Sequence, residues 1–108
     1  MLKRFSTRAF NYTKCQFPHV YFAVTGNTCK IGYSNVLSIA QQVSKHKNAD
    51  IVIFRHNNPK QMSDFLKKKY TCFKINTNRP LFIPCVFDDA SMCCRLNGGV
   101  YSYPLPPQ

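Results

Sequence analysis

The residues of this sequence best suited to a chemical role are its clustered lysines. Their positive charges attract phosphate. The sequence has fifteen Lys and Arg residues and four acidic residues, which gives a formal net charge of +11. Such a charge creates a field that attracts polyanions over much of a small protein, so nucleic acid is the partner we expect. The cations predicted to contact phosphate are Lys45, Lys47, Arg55, Lys60, Lys67, Lys68 and Lys69.

The run of three lysines at positions 67–69 has a second interpretation. Lysines in the last turn of a helix interact favourably with its macrodipole and stay solvated. Phosphate attraction needs only clustered cations and no fixed geometry, so the net charge favours the nucleic-acid interpretation.

Cysteine and histidine are frequent enough to raise the question of a zinc site. The chain has six cysteines and three histidines, but no Cys-x-x-Cys pair, and Cys93 and Cys94 are adjacent. Adjacent cysteines rarely ligate one ion, so we expect free thiols and no zinc. No hydrophobic signal peptide precedes the cysteines, and reduced thiols in an intracellular protein, nuclear or cytoplasmic, are therefore expected.

Length and composition predict one small domain in three parts. Residues 1–17 form a basic N-terminal arm, residues 18–79 the core, and residues 80–108 a Pro-rich extension that packs on the core or trails from it. The first 14 residues contain Arg, Ser and Thr and no acid, as mitochondrial presequences do, but a basic arm is the favoured interpretation. No run approaches the roughly 20 apolar residues of a membrane span.

The first half of the core reads as a β-hairpin followed by a helix. Residues 19–24 (HVYFAV) and 28–34 (TCKIGYS) are strand-like, and Gly26 and Asn27 between them tolerate a positive φ in a tight turn. Ser34 and Asn35 are good helix caps, and apolar residues at helical spacing follow in VLSIAQQVSKHK.

The second half of the core reads as a buried strand and a second helix. Residues 49–56 (ADIVIFRH) are almost continuously apolar. Asn58 and Pro59 open a helix, whose buried face is predicted to hold Met62, Phe65, Leu66 and Tyr70. Beyond it, TCFKINTN and LFIPCVF each suit a short strand, Gly98-Gly99 a turn, and YSYPLPPQ an extended tail. The order predicts an α+β domain of two or three layers, with an irregular or short-stranded C-terminal segment.

Within this order, Tyr21 falls in the first strand and Lys30-Ile31-Gly32 in the second. The combination resembles the GIY-YIG nuclease family, especially its viral and phage branch, whose second motif is often Lys-Ile-Gly. The resemblance runs from about His19 to Tyr70, with His19-Val20-Tyr21 at the first motif. It implies a small GIY-YIG-like fold, a viral origin and a role in nucleic-acid chemistry.

The resemblance also implies roles for four positions. Tyr21 stands where the family's tyrosine relays the proton of the attacking water, and Lys30 replaces the second tyrosine. The family's helix-one arginine, which stabilises charge on the phosphate, falls at positions 38–42, where Gln42 offers only neutral hydrogen bonds. Asp64 corresponds to the helix-two glutamate that holds a single divalent metal.

Three functions remain open on these residues. The first is a diverged, catalytically impaired domain, a pseudoenzyme that binds nucleic acid through its basic surface. The second is an active endonuclease that uses Tyr21, Asp64 and a bound Mg²⁺ or Mn²⁺ ion. The third is a protein-interaction module with no nucleic-acid role.

Overall fold

A computed structural model of the chain describes residues 13–76 and 81–104. In these ranges the strands are β1 (His19–Val24), β2 (Cys29–Ser34), β3 (Asp50–Arg55), β4 (Lys74–Asn76), β5 (Leu81–Phe82) and β6 (Val100–Tyr103). The helices are α1 (Ile39–Lys45), α2 (Pro59–Lys69), α3 (Val86–Leu96) and a single 3₁₀ turn at Thr71–Phe73. The predicted α+β class is confirmed.

The strands form one antiparallel sheet in the order β4-β5-β2-β1-β3-β6, and helices cover both of its faces. Side chains alternate between the faces of a strand, so β1 contributes to two separate apolar clusters. Val20 and Phe22 pack under α2 and α3, whereas Tyr21 and Ala23 pack against Ile39 of α1. The fold therefore has three layers.

The predicted β-hairpin is confirmed, although its turn is made differently. β1 pairs with β2 from His19 opposite Ser34 to Val24 opposite Cys29. Neither Gly26 nor the residue after it adopts a positive φ. The reversal is held instead by Thr25, whose hydroxyl accepts the Thr28 N–H at 3.0 Å.

The first helix is shorter than predicted, because it begins at a different cap. The Ser38 hydroxyl accepts the Gln41 N–H at 3.1 Å, and the Gln41 side chain accepts the Ser38 N–H at 2.8 Å, which is a complete capping box. The predicted cap Ser34 lies four residues earlier and accepts the N–H groups of Val36 and Leu37. Residues 35–37 are thus a turn between β2 and α1.

The second helix begins where the sequence predicts, with Asn58 as the N-cap and Pro59 in the first turn. Met62, Leu66 and Tyr70 are buried as predicted. The prediction was wrong for Phe65, which is 52% exposed. The buried stripe of α2 passes through positions 59, 62, 63 and 66 and continues to Tyr70 just after the helix. A residue directly before Leu66 lies about 100° away from Leu66 around the helix.

The C-terminal segment contains short strands, as predicted, and also an 11-residue helix, α3, that the sequence analysis did not predict. α3 carries Val86, Ala90 and Cys94 into the core, while β6 pairs with β3. The helix ends at Leu96 and is followed by Gly98, which has a φ of 96°, and the Gly99 N–H donates to the Cys94 carbonyl oxygen at 2.8 Å. This is a Schellman ending, for which glycine is the favoured residue.

Several sequence predictions fall partly or wholly outside the described residues. These concern positions 1–12 of the basic arm with its presequence-like composition, positions 77–80, and the last four residues of the Pro-rich tail. Within residues 13–76 and 81–104, no helix is long and apolar enough to cross a lipid bilayer.

Candidate functional site

Tyr21 and Gly32 lie opposite each other in the β1–β2 pair, on the face covered by α1. The Tyr21 ring lies across the glycine: a Cβ atom placed on Gly32 would come within 2.4 Å of the ring carbon Cζ and of the hydroxyl oxygen. Gly32 therefore makes room for Tyr21. The tyrosine is 6% exposed, and burial raises the pKa of its hydroxyl.

Gln42, at the position where the resemblance implies an arginine, is buried and hydrogen-bonded to another buried side chain. Its Nε2 atom lies 3.0 Å from Nε2 of His19, whose Nδ1 lies 2.8 Å from the Phe17 carbonyl oxygen. A carbonyl oxygen only accepts, so His19 Nδ1 carries the proton and Nε2 accepts from the Gln42 amide. The Gln42 Oε1 atom is buried without a partner among the described residues. Gln42 therefore positions His19 and does not reach the surface.

The buried His19 is expected to make the folded state sensitive to mild acid. Burial lowers the pKa of its imidazole, an effect that the hydrogen bond to Phe17 partly offsets. The unfolded chain titrates near the ordinary pKa of about 6.5. As the pH falls below that value the unfolded state binds a proton that the folded state does not, so the free energy of unfolding decreases. It is insensitive to this residue above about pH 7.5.

The measurement is urea unfolding at pH values between 5 and 8 for the wild type and His19→Gln. One group contributes a slope of at most about 1.4 kcal/mol per pH unit, and the variant should have a shallower slope below pH 6.5. Equal slopes would show that His19 is protonated equally in both states. Burial and the charges of Lys30 and Lys45 also lower the pKa of His46, so a residual slope is expected in the variant.

His46 lies at the edge of the Tyr21 site, near two positive charges. Its ring is tilted by 38° against the Tyr21 ring, with the centroids 4.9 Å apart. The charges of Lys30 in β2 and Lys45 at the end of α1 both lower its pKa, after the effect of burial. Both lysines therefore lie close enough to His46 to act on it electrostatically.

A second group of cations acts electrostatically on Lys67 of α2. Burial lowers the pKa of the Lys67 ammonium, and the carboxylate of Asp64 opposes this shift. Three further positive charges lower it again, those of Lys30, Lys74 and Lys60. Lys30 thus belongs to both groups and joins them across β2. We call the joined set the basic strip; its members are Lys30, Lys45, Lys60, Lys67 and Lys74.

The other cations predicted to contact phosphate have different surroundings. Lys47 lines an open groove beside the β1–β2 turn, together with Asp50. The Arg55 guanidinium lies 4.8 Å from the centre of the Phe17 ring. Lys69 points to α3, with its Nζ atom 3.8 Å from Cys93 Sγ, and Lys68 is exposed. The three lysines at 67–69 therefore do not share one surface.

Asp64 does not lie with Tyr21. Its helix α2 packs on the face of the sheet opposite to Tyr21. The Asp64 carboxylate is 3.3 Å from the Lys60 ammonium, and both side chains are exposed. A metal held by this one carboxylate would compete with its lysine partner, and in residues 13–76 and 81–104 Asp64 belongs to no group of three His, Cys, Asp or Glu side chains that could hold an ion. The donor set does not fit an Mg²⁺ or Mn²⁺ site.

The cysteines and histidines are also dispersed. In the described ranges, no three side chains of His, Cys, Asp or Glu come together in a way that would hold a metal ion. No disulfide bond joins the described cysteines, and burial raises the pKa of both Cys29 and Cys94 to about 12.

Lys74 of the basic strip and His46 beside Tyr21 were not assigned to a site from the sequence, and Lys30 was assigned to a catalytic position and not to phosphate binding. Lys74 follows the 3₁₀ turn, and only the pairing of β4 with β5 next to β2 brings it towards Lys30 and Lys67. His46, one of the three histidines considered for a zinc site, contacts Tyr21. No local pattern signals either position, since both depend on pairings between distant parts of the chain.

The fold and the basic strip define a small basic α+β domain. No family model, no curated protein and no solved structure matches the chain. The residues themselves therefore carry the functional argument.

Proposed function

We propose that this protein binds nucleic acid through the basic strip and that its Tyr21 site does not cut the bound strand. The observation that carries the proposal is the set of like charges around Lys67. Lys30, Lys60 and Lys74 all act on it, and Asp64, the one carboxylate among them, is already paired with Lys60. Lysines that repel one another in the free protein are neutralised together by a polyanion, which is the basis of phosphate-backbone binding.

The surroundings of the implied catalytic positions support binding without cleavage. A helix-one cation that stabilises the phosphate must face the substrate, and Gln42 is 1% exposed. Tyr21 is covered by α1 and His46, with its pKa raised. Asp64 lies on a helix of the opposite layer. The nucleic-acid-binding role thus rests on the lysines, and the resemblance to the GIY-YIG family enters the proposal as the origin of the fold.

Two double variants test the binding surface at equal loss of charge. Lys30→Gln with Lys67→Gln removes the centre of the basic strip, and Lys69→Gln with Arg95→Gln removes two cations near or on α3. We expect the first pair to weaken binding to a fluorescent oligonucleotide by about 10- to 100-fold at low salt, and to reduce the slope of log K against log salt by about 1.4 to 1.8. The control pair should change affinity by less than about threefold, the residual effect of net charge.

Equal losses in the two double variants would mean that net charge, and no particular surface, attracts the nucleic acid. If the wild type shows no affinity at low salt, the binding proposal fails and the interaction-module hypothesis takes its place. The comparison is made with both single-stranded and duplex DNA and with RNA, because phosphate attraction alone does not choose between them.

Cleavage is tested separately with supercoiled plasmid in Mg²⁺ and in Mn²⁺. We expect no nicking above the buffer control. Nicking that disappears in Tyr21→Phe and in Asp64→Ala would overturn this part of the proposal and establish an active endonuclease.

A further inference from the structure

Three large apolar side chains are exposed on the outer surface of α2 and α3. Phe65 is 52% exposed, Met92 55% and Leu96 76%. Apolar residues scattered singly on a surface need no explanation, but a contiguous group marks an interaction site. The arrangement of the two helices shows whether these three residues lie together.

The two helices run antiparallel, as contacts at both ends show. At one end, His56 accepts the Asn58 N–H at the start of α2, and its Nε2 donates to the Asn97 carbonyl oxygen at the end of α3. At the other end, the Tyr70 hydroxyl after α2 donates to Asp89 in the first turn of α3. The N-terminus of each helix thus lies beside the C-terminus of the other.

This arrangement brings the exposed apolar residues together. Lys69 of α2 contacts Cys93 of α3. Phe65 lies one turn before Lys69 and Leu96 one turn after Cys93, so in antiparallel helices they meet over the groove. Met92 lies one turn before Leu96 on the same side of α3. Phe65, Met92 and Leu96 form one surface, which we call the apolar ridge.

The charges beside the ridge have a definite order. Lys68 lies one turn from Phe65 near the C-terminus of α2, and Asp88 lies one turn from Met92 near the N-terminus of α3. Both are exposed at the same end of the helix pair. A partner that carries an acidic residue opposite α2 and a basic residue opposite α3 would complement both charges, and a second copy of this surface carries them in these positions.

We propose that the apolar ridge is the interface of a homodimer whose two-fold axis runs parallel to α2 and α3. Such an axis places α2 of one protomer over α3 of its partner with the same ends aligned. The ridge residues then bury one another in the centre, and Lys68 faces the partner subunit's Asp88 on both sides. The basic strip stays free. Lys60 and Lys67 lie about 140° and 160° around α2 from Phe65. Lys74 lies in the edge strand β4, and Lys30 lies opposite Ala23 on the face that α1 covers.

The small size of the surface indicates a weak dimer. Each helix has 11 residues and is therefore about 16 Å long, so the two helices side by side present a face of about 16 by 20 Å. This is smaller than a standard interface of about 800 Å² per partner. We expect a dissociation constant of tens of micromolar, about 10⁻⁵ to 10⁻⁴ M.

The first test is sedimentation velocity of the full chain from about 1 to about 500 µM. The wild type should shift from monomer to dimer over this range, and Leu96→Asp should weaken the dimer at least about tenfold. Val36→Asp is the matched control, because Val36 is 66% exposed and lies in the turn before α1, away from the ridge. Phe65→Ser serves as a second ridge variant. Circular dichroism and a melting curve accompany each variant to show that it is folded.

The second test uses charge reversal to read the direction of the axis. Lys68→Asp alone and Asp88→Lys alone each place like charges opposite each other in both halves of the dimer, and each should weaken it by about three- to tenfold. An equimolar mixture of the two variants should recover dimerisation, since every contact in the mixed dimer then joins opposite charges.

A wild type that stays monomeric up to the highest concentration overturns the proposal. So does a dimer that Val36→Asp weakens as much as Leu96→Asp, which would locate the interface elsewhere or reflect added negative charge. A dimer that Leu96→Asp disrupts but that the mixture does not restore would rule out the axis proposed here. None of these outcomes affects the proposed nucleic-acid binding, which the strip variants test independently.

Discussion

The substitution Gly32→Ala is expected to lower the free energy of unfolding by about 3 kcal/mol, the upper part of the range for overpacking a core. The added methyl group would lie 2.4 Å from the Tyr21 ring, well inside contact distance. The ring has little room to move, because it is 6% exposed and packs with Ile39 and His46. For a domain of this size the loss corresponds to a fall in Tm of at least about 10 °C, measurable by calorimetry or thermal circular dichroism.

Gly26→Ala is the matched control for this prediction. A Cβ atom at Gly26 meets nothing within 4 Å, and its φ is not positive. The same chemical change there should be neutral or should stabilise by up to about 1 kcal/mol, since alanine restricts the unfolded chain.

A double-mutant cycle then assigns the effect to the ring. In a Tyr21→Ala background the methyl group at position 32 has space, so Gly32→Ala should cost less than about 1 kcal/mol. A cost that is unchanged in this background would mean that the backbone at position 32, and not the Tyr21 ring, requires glycine.

The parts of the fold that the sequence predicts are those with a local signal. β1, β2 and β3 each have strand-typical residues within six positions, and α2 has Pro59 in its first turn followed by a helical apolar period. These features depend on contacts between neighbours in sequence. The prediction that Phe65 is buried was wrong because a helical period locates the centre of a buried stripe but not its edges. The neighbouring α3 does not cover the side of α2 that carries Phe65.

α3 shows the opposite case. Its first residues continue the run LFIPCVF, which has the aromatic and β-branched composition of a strand. Asp88 and Asp89 in the first turn and Gly98 after the end are helix signals. The apolar run before them favours a strand instead. The helix forms because Val86, Ala90 and Cys94 reach a core that α2 and β1 have already shaped, which is a tertiary cause.

The sequence predicts that a cluster of positive charge exists, but it does not predict which lysines form the basic strip. Net charge alone predicts a polyanion partner, and that prediction stays a proposal. Which lysines act together depends on strand order: 37 positions separate Lys30 from Lys67, and the two influence each other because α2 packs over β2. The environment of Gln42 also depends on the tertiary fold. A glutamine suggests a polar surface position, but this side chain is buried and hydrogen-bonded to His19.

Gln42→Arg is expected to destabilise the protein by at least about 3 kcal/mol and to leave it unable to nick DNA. The variant restores the side chain that the resemblance implies, but it places a charge at a site that is 1% exposed and next to the neutral, buried His19. No carboxylate is present on α1 or β1 to pair with it, and an unpaired buried charge costs several kcal/mol. Urea unfolding measures the loss, and the plasmid assay in Mg²⁺ or Mn²⁺ measures the activity.

Ala40→Arg is the control on the same helix, where the side chain is exposed and arginine is a good helix former. It should change stability by less than about 0.5 kcal/mol. A Gln42→Arg variant that is as stable as this control must have turned its cation out to solvent, because α1 and β1 offer it no counter-charge. If that variant also cuts DNA, the missing arginine is the single lesion in an otherwise competent site. If it is destabilised and inactive, the hydrogen bond between Gln42 and His19 is part of the core, and an arginine at this one position does not produce cleavage.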